Sequence, residues 1–286
     1  MIQKQCKIIL ADILLLFSSN LRYKLTSILK KLKRSNKKEM IIDKKRNAPT
    51  KFIICITHDI DYLEDYKNIM KIAKIERKYG IKSCWNFVTN DLYKIDNKVI
   101  KELKKEGHEI GLHGFKHDIA FGYRKDKRIE KELRLATKNL EKVKINGFRA
   151  PALSYSKNLF KILSKLNFKY DSSIPDYKAE TIFPFKIKNT KLWELPLTTP
   201  QDSELFRDRN LDNKKAYNLL TDKLKQIKKV QGTAILLFHP CIIQKRLDFY
   251  EELIKFIKKQ QAWICTPNEL VDFLDKKENK KRNKLR

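Results

Sequence analysis

The amino-acid sequence predicts an α/β protein whose strands form a parallel sheet, either open or closed into a barrel. From Lys51 onward, short apolar segments alternate with longer, lysine-rich segments of helical periodicity, which is typical of repeated strand–helix units. Polar residues follow several of the apolar segments directly, where loops at the carboxyl ends of parallel strands assemble a site. The length of 286 residues is sufficient for one large domain with a complete core.

Strands are predicted where a short apolar segment ends in polar residues, as buried parallel strands do. The predicted strands are Phe52–Thr57, Ser83–Thr89, Glu109–His113, Gly147–Arg149, Lys169–Asp171, Leu192–Thr198, Ala234–Phe238 and Ala262–Cys265. Helices are predicted between them, some closed by a glycine or opened by a serine. The predicted helices are Leu63–Tyr79, Asn97–Lys105, Lys125–Val143, Ser156–Leu166, Asn213–Val230, Arg246–Gln260 and Pro267–Asp275.

The chain divides into three parts by composition. Residues 1–49 are predicted to form a basic N-terminal helical extension, residues 50–275 the α/β domain, and residues 276–286 a basic tail. Within the extension, the apolar segment Ile8–Phe17 is too short to span a bilayer. Because basic residues flank it on both sides, it is interpreted either as an interfacial helix on an anionic membrane or as an amphipathic helix packed on the protein.

The net charge of +30 comes mainly from lysine and bears on the kind of partner. Such a charge favours anionic membranes, nucleic acids or acidic glycans. It is also what a lysine-rich composition with solvated helix faces produces. Arginine, the residue suited to bidentate phosphate contacts, is scarce, which favours the second interpretation. We therefore expect no nucleic-acid partner, while peripheral contact with an anionic membrane stays open.

The cysteines bear on the compartment in which the protein works. The five are Cys6, Cys55, Cys84, Cys241 and Cys265. They show no close spacing, and most lie in apolar segments, where a thiol behaves as a small hydrophobe. The pattern favours a reducing compartment over a disulfide framework. Because no small-residue cleavage site follows the N-terminal apolar segment, we expect a cytoplasmic protein, with peripheral contact at the inner face of the membrane or secretion as alternatives.

All five histidines lie at predicted strand ends, in the segments Thr57–Asp61, Gly107–His117 and Phe238–Pro240. His113 and His117 are spaced to bind one divalent metal through neutral imidazole nitrogens, if the intervening turn is helical. With Asp61 they complete a histidine–histidine–carboxylate set that leaves positions open for water and substrate. The sequence therefore predicts a metal site.

Four further residues are candidates for catalysis. Asp59, two positions from the predicted carboxylate ligand, could take a proton from bound water. Arg149, as a buried cation beside Asp59, would hold that carboxylate ionised. His239 ends the most apolar strand and would protonate a leaving amine, with Asp171 as the partner that raises its pKa. Taken singly, these residues also fit a solvated turn, a surface arginine or a structural histidine.

The order of the motifs resembles the polysaccharide deacetylase family (carbohydrate esterase family four, the NodB-like group) over about residues 50–275. The segments similar to its five motifs are, in chain order, Thr57–Asp61, Gly107–His117, Arg149–Pro151, Asp171–Ser173 and Leu236–His239. The second is the closest match. Two positions depart from the usual pattern, since Ile60 separates the two aspartates and Ala152 stands where the family often has an aromatic residue.

The resemblance implies a distorted (β/α) barrel and a metal-dependent hydrolase that removes N-acetyl groups from a sugar of a polysaccharide or lipid-linked glycan precursor. It implies that one aspartate of the first motif is the base, for which we expect Asp59, and that the other ligates metal. It also implies a divalent metal, for which we expect Zn²⁺, and an oxyanion donor in the backbone N–H of Ala152. His108 is not a ligand by the same resemblance. The alternative is a non-catalytic glycan- or membrane-surface-binding protein that retains the barrel.

Overall fold

The computed structural model describes residues 51–175 and 183–284, so the predicted extension over residues 1–49 lies outside the described residues. The strands are β1 (Ile53–Ile60), β2 (Cys84–Phe87), β3 (Glu109–Leu112), β4 (Gly147–Phe148), β5 (Tyr170–Asp171), β6 (Phe185–Lys186), β7 (Trp193–Glu194), β8 (Thr233–Phe238) and β9 (Trp263–Ile264). The helices are α1 (Leu63–Lys78), α2 (Asn97–Lys105), α3 (Asp126–Asn139), α4 (Lys157–Lys165), α5 (Asn213–Lys229), α6 (Pro240–Ile243), α7 (Leu247–Lys258) and α8 (Pro267–Lys284).

The strands form one curled sheet in the order β6-β7-β5-β4-β3-β2-β1-β8, and β9 pairs with β1. Every pairing is parallel except that of β6 with β7. Parallel neighbours need crossover connections, and the helices between the strands supply them. The predicted (β/α) barrel of the distorted type is confirmed.

Strand β1 pairs with β2, β8 and β9 and is buried over all eight residues. Its side chains alternate between two layers. Ile53 and Cys55 belong to the apolar cluster that fills the inside of the barrel. Ile54 and Ile56 belong to the larger cluster between the sheet and the helices. Because β1 is buried on both faces, its first four residues are all apolar, and polar residues begin only at Thr57.

Two threonine side chains after β7 hydrogen-bond to the backbone of β8, at the other end of the sheet. The hydroxyl of Thr198, after β7, donates to the carbonyl of Thr233 (3.0 Å) and accepts from the N–H of Ile235 (2.9 Å), both in β8. Thr199 adds a hydrogen bond to the carbonyl of Ile235 (3.2 Å). These bonds bring the segment after β7 against β8, so that side chains partly close the gap between the ends of the sheet.

The predicted and observed elements differ mainly at the C-terminal side. Short elements β6 and α6 were not predicted. Helix α8 runs to Lys284, well into the segment predicted as a separate basic tail, and the ion pair of Lys186 with Glu278 (2.6 Å) joins that continuation to β6. In the part of the chain that the structure describes, no helix is both long and apolar enough to cross a membrane.

Candidate active site

The candidate active site lies at the carboxyl ends of the strands, as parallel α/β sheets dictate. Asp59 is the second-last residue of β1 and Asp61 follows it, while His113, Arg149 and His239 come directly after β3, β4 and β8. All five are at least nine-tenths buried. Asp59, Asp61, His113 and His239 line one cavity of about 30 Å³, which is room for an ion or a water.

Asp61 lies at the centre of the site, facing three histidines. Its Oδ1 is 3.1 Å from Nε2 of His113, and its Oδ2 is 3.4 Å from Nε2 of His117 and 3.7 Å from Nε2 of His239. Burial acts to raise the pKa of Asp61, but the neighbouring histidine charges, that of His117 foremost, lower it well below its ordinary value. The carboxylate is therefore ionised at neutral pH.

The loop that carries the two adjacent histidines is not the helical turn considered from the sequence. Residues 113–118 form an irregular loop in which Gly114 has a φ of +109°, a conformation open to glycine. The backbone N–H of His117 is fixed by the carboxylate of Asp91 (2.9 Å). The loop thus turns back on itself and brings the two imidazoles together, with ring centroids 5.5 Å apart.

The atoms of Asp61, His113 and His117 fit a divalent metal. Their ligand atoms lie within 4.8 Å of one another. Oδ1 of Asp61 is buried without a hydrogen-bond partner among the described residues, which is the state of an oxygen reserved for an ion. Nδ1 of His113 lies 2.8 Å from the carbonyl of Arg149, so it carries the proton and leaves Nε2 available for a metal. Histidine nitrogens with one carboxylate suit zinc.

Asp59 has one oxygen held and one oxygen facing the cavity. Oδ1 accepts from Nη1 of Arg149 (3.1 Å) and from Nδ2 of Asn86 (2.9 Å). Oδ2 points toward the ligand set, 3.8 Å from Nε2 of His113. Burial acts to raise the pKa of Asp59, but the charges of His113 and Arg149 outweigh it and the pKa is lowered. The geometry suits a base beside the ligands better than it suits a ligand.

Arg149 occupies the position expected of it, buried against Asp59. Its other donors go to Oγ1 of Thr57 (2.7 Å) and to the carbonyl and hydroxyl of Ser172 (both 2.8 Å). A guanidinium held at every edge cannot swing away from the carboxylate it orients. The charge that keeps Asp59 ionised is therefore fixed in place.

Asn86 is a site residue that the sequence reasoning missed. It lies inside β2, in the segment Cys84–Phe87, where a single polar residue among apolar ones gives little indication of a role. One signal was present: its partner in register on β3 is Gly111. A Cβ at that glycine would overlap the amide oxygen of Asn86, so the two positions are matched.

The partner of His239 differs from the prediction. Nδ1 of His239 is 2.6 Å from Oδ1 of Asp202, and its backbone N–H donates to Oδ2 of the same residue (2.6 Å). Burial acts to lower the pKa of His239, but Asp202 foremost, and then Asp61 and Asp59, raise it to about 9. The predicted pairing of His239 with Asp171 is wrong, because Asp171 lies on β5, between β4 and β7, rather than beside β8.

Asp171 instead supports the loop after β4. Its oxygens accept from the backbone N–H (2.9 Å) and the hydroxyl (2.8 Å) of Ser173, and Oγ of Ser173 accepts from the N–H of Ala150 (2.8 Å). Burial foremost raises the pKa of Asp171 to about 6. The segment Asp171–Ser173 thus holds the segment Arg149–Pro151 in place: Asp171 acts through Ser173, and Ser172 accepts hydrogen bonds from Arg149.

The same loop forms one wall of the cavity. Ala152 and Leu153 line it, and both have positive φ values, +50° and +53°. Two successive left-handed residues without glycine are uncommon and are found where the surrounding structure holds them. The small side chain at position 152 leaves the cavity mouth without the aromatic surface expected in many relatives.

Comparison with known proteins agrees with the motif pattern. Residues 46–170 match the family model described as polysaccharide deacetylase. No curated protein matches the chain in sequence. Among solved structures, a Mycobacterium smegmatis protein assigned to the polysaccharide deacetylases is 16% identical, with a TM-score of 0.67 over 85% of this chain and 96% of that one.

An allantoinase and a pseudoenzyme share this fold as well. The PuuE allantoinase is 13% identical, with a TM-score of 0.67 over 83% of this chain and 97% of that one. A pseudoenzyme of carbohydrate esterase family 4 from Bacillus anthracis is 16% identical, with a TM-score of 0.52 over 79% of this chain and 67% of that one. At such identities the likeness concerns the fold alone. The sequence match, like the motifs, is to the polysaccharide deacetylase family, and it covers residues 46–170, less than half of the chain.

Proposed function

We propose that the protein is a metal-dependent hydrolase that removes N-acetyl groups from a sugar of a polysaccharide or a lipid-linked glycan precursor. The observation that carries this proposal is the convergence on Asp61 of a ligand set and two groups able to move protons. The atoms of Asp61, His113 and His117 lie within 4.8 Å of one another, and so do those of Asp59, Asp61 and His239. Amide hydrolysis needs this combination, since water must lose a proton and the leaving amine must gain one.

In this proposal Asp61, His113 and His117 hold the metal, with Zn²⁺ as our expectation. Bound there, the metal would polarise the acetyl carbonyl and lower the pKa of the attacking water. Asp59 takes the proton from that water through Oδ2, the oxygen that Arg149 and Asn86 leave exposed to the cavity.

The remaining roles fall to His239 and Ala152. Nδ1 of His239 is tied to Asp202, so Nε2 is the nitrogen directed at the cavity and the one that protonates the departing amine. The backbone N–H of Ala152, in the loop that lines the cavity, is the expected donor to the oxyanion. Arg149 and Asp202 act through the base and the acid that they position.

The deciding experiment measures acetate release from N-acetylated oligosaccharides by the metal-loaded protein, before and after treatment with a chelator. We expect release that stops on chelation and returns with Zn²⁺. The matched control is Asp59→Asn, which keeps the ligand set. Binding of the oligosaccharides without any acetate release would instead support the non-catalytic glycan-binding alternative, in which the barrel is retained as a binding surface.

The location of the protein is a separate part of the proposal. We infer that the basic segment over residues 1–49 makes peripheral contact with the anionic inner face of the membrane, where a lipid-linked glycan would be within reach. Each basic residue near such a surface adds on the order of 1 kcal/mol. Cell fractionation at low and high salt tests this: salt-released protein supports it, and a processed protein outside the cytoplasm would overturn it.

A further inference from the structure

One wall of the catalytic cavity has no role in the proposed chemistry. It is formed by residues 201–208, the segment after β7, from which Gln201, Ser203, Arg207 and Asp208 line the same cavity as Asp59 and His113. Asp202, between the first two of these, turns instead to His239. The segment therefore faces both the acid and the place where a substrate must lie.

The position of this wall is fixed by its neighbours. Residues Glu204–Asp208 form a single π-helical turn, an arrangement that often occurs at functional sites. Two bonds from His239 hold Asp202, at 2.6 Å each. Phe206 is buried and packs beneath the guanidinium of Arg246, 4.2 Å from the ring centroid. The side chains that line the cavity are thus attached to a well-packed support.

Ser203 offers the cavity a hydroxyl with no other use. The residue is 5% exposed, and its Oγ has no hydrogen-bond partner among the described residues. Buried polar atoms in folded proteins are nearly always hydrogen-bonded, because leaving one unsatisfied costs free energy. A ligand oxygen in the cavity would satisfy this hydroxyl.

Arg207 brings a positive charge to the same wall. Its Nη2 lies 3.7 Å from Sγ of Cys241, a thiol whose pKa is raised by burial and which is therefore neutral. The exposed carboxylate of Asp208 is a charged neighbour of the guanidinium. Burial foremost lowers the pKa of Arg207 to about 10, because burial disfavours the charged form, and an anionic ligand in the cavity would favour that form. The planar guanidinium matches the paired oxygens of a carboxylate or phosphate.

We propose that Ser203 and Arg207 form a subsite for an anionic group of the substrate, a carboxylate or a phosphate carried by the acetylated sugar or by the sugar next to it. This inference rests on the proposed function and narrows it to acidic N-acetylated glycans. Ser203 caps the π-helical turn that carries Arg207, and both residues line the same cavity.

Three probes that differ only at C6 test the subsite: N-acetylglucosamine, its 6-carboxylate (N-acetylglucosaminuronic acid) and its 6-phosphate. Binding to the metal-loaded full chain is measured by calorimetry, in the Asp59→Asn background so that no probe is consumed. We expect an anionic probe to bind at least about tenfold more tightly than the neutral one, which corresponds to about 1.4 kcal/mol. Whichever of the two anionic probes binds better identifies carboxylate or phosphate.

The variants assign that preference to residues. Arg207→Gln should reduce it to about twofold or less, Arg207→Lys should retain part of it, and Ser203→Ala should weaken only the anionic probes. Arg209→Gln is the matched control, because Arg209 is exposed two positions away and pairs with Glu204 outside the cavity. Metal content and melting temperature, measured on each variant, show that the site is intact.

Two outcomes would overturn the subsite: equal or better binding of the neutral probe by the parent protein, or equal weakening of all three probes by Arg207→Gln. Acetate release by the protein with Asp59 intact is scored separately. If no probe or oligosaccharide is deacetylated while the anionic preference and its loss in Arg207→Gln persist, the proposed function fails and the subsite stands. If neutral and acidic sugars are deacetylated with equal efficiency, the proposed function stands and the subsite fails.

Discussion

Two histidine–carboxylate clusters lie on opposite faces of β1, and only one of them has the character of a reactive site. The inner cluster, inside the barrel, comprises Asp59, Asp61, His113, His117 and His239. The outer cluster, between the sheet and the helices, comprises His58, Glu76, Ser83, His108 and Tyr250. His58 and Asp59 are successive residues of one strand, so the pleat sends them to different layers.

The clusters differ in how their carboxylates are satisfied. In the outer cluster, Oε1 of Glu76 accepts from the hydroxyl of Tyr250 (2.6 Å) and lies 2.8 Å from Nε2 of His58, while Oε2 accepts from Ser83 (2.7 Å). His58 also stacks on Trp85, with ring centroids 4.0 Å apart. In the inner cluster, by contrast, Asp61 has a buried oxygen beside the cavity that accepts no hydrogen bond from any described residue. Histidines and carboxylates therefore form a structural polar core in the outer cluster, where they bond to one another. In the inner cluster the same residue types line a cavity and form a candidate site.

The largest expected effect is a difference in bound metal between two variants, each of which replaces one histidine of one cluster. His113→Ala should lose bound metal and with it acetate release, since two remaining protein ligands rarely retain a metal. His108→Ala should keep the metal and lose only stability. Elemental analysis of both purified variants checks the contrast. Unchanged metal in His113→Ala would remove this histidine from the ligand set.

The second prediction concerns the two aspartates of the inner cluster. Asp59→Asn should abolish turnover and retain metal, because one oxygen of Asp59 is already engaged by Arg149 and Asn86. Asp61→Asn should lose metal and turnover together. Metal content and acetate release are measured on the same preparations. The reverse pattern would exchange the roles of base and ligand and leave the proposed reaction in place.

A third, smaller loss is expected at the acid. His239→Ala should reduce the rate by roughly two to four orders of magnitude with little change in the fold. Asp202→Asn should reduce it less, since the imidazole stays but its Nδ1 partner loses its charge. Rates and melting temperatures of the two variants test this. A near-normal rate for His239→Ala would mean that water or another group supplies the proton.

The outer cluster should give a stability effect without a catalytic one. Glu76→Gln should lower the free energy of unfolding by about 3 kcal/mol, because it removes the charge of a buried, fully bonded carboxylate. Urea unfolding at pH 7 measures this, and metal content should stay unchanged. A large change in metal content would mean that the clusters are not independent.

The pH dependence of that effect has a definite sign. Burial acts to raise the pKa of Glu76, but the charge of His58 foremost lowers it below its ordinary value. A lowered pKa stabilises the fold above the unfolded value, which is about 4.3, and that stability is lost as the pH falls through the folded pKa. In Glu76→Gln this part of the acid dependence should be absent. An unchanged acid profile would contradict the role of Glu76.

The sequence predicted most of the fold because the apolar segments are short, buried and separated by clear helices. It also predicted the residues that end β1, β3, β4 and β8, since a strand end is a local feature of the sequence. It did not predict which strands are neighbours. The predicted partner of His239 was therefore Asp171 rather than Asp202, which lies four residues beyond the predicted strand Leu192–Thr198.

Asn86 was missed for a different reason. Its contact with Asp59 depends on the register between β1 and β2, in which the two residues stand side by side. Register is set by packing across the sheet, which a single strand does not reveal. The π-helical turn over residues 204–208, in which Leu205 and Phe206 are buried, was not predicted from the sequence either.

The close contact between Gly111 and Asn86 means that a substitution at one of these positions restricts which residues the other can carry. A side chain at position 111 and an amide at position 86 exclude each other, because a Cβ on β3 would occupy the place of the amide oxygen. Asp59 would lose one of its two donors through a change at Gly111, on β3. In sequences that descend from this chain, we therefore expect positions 86 and 111 to change together. The effects of the two substitutions on the free energy of unfolding should not be additive.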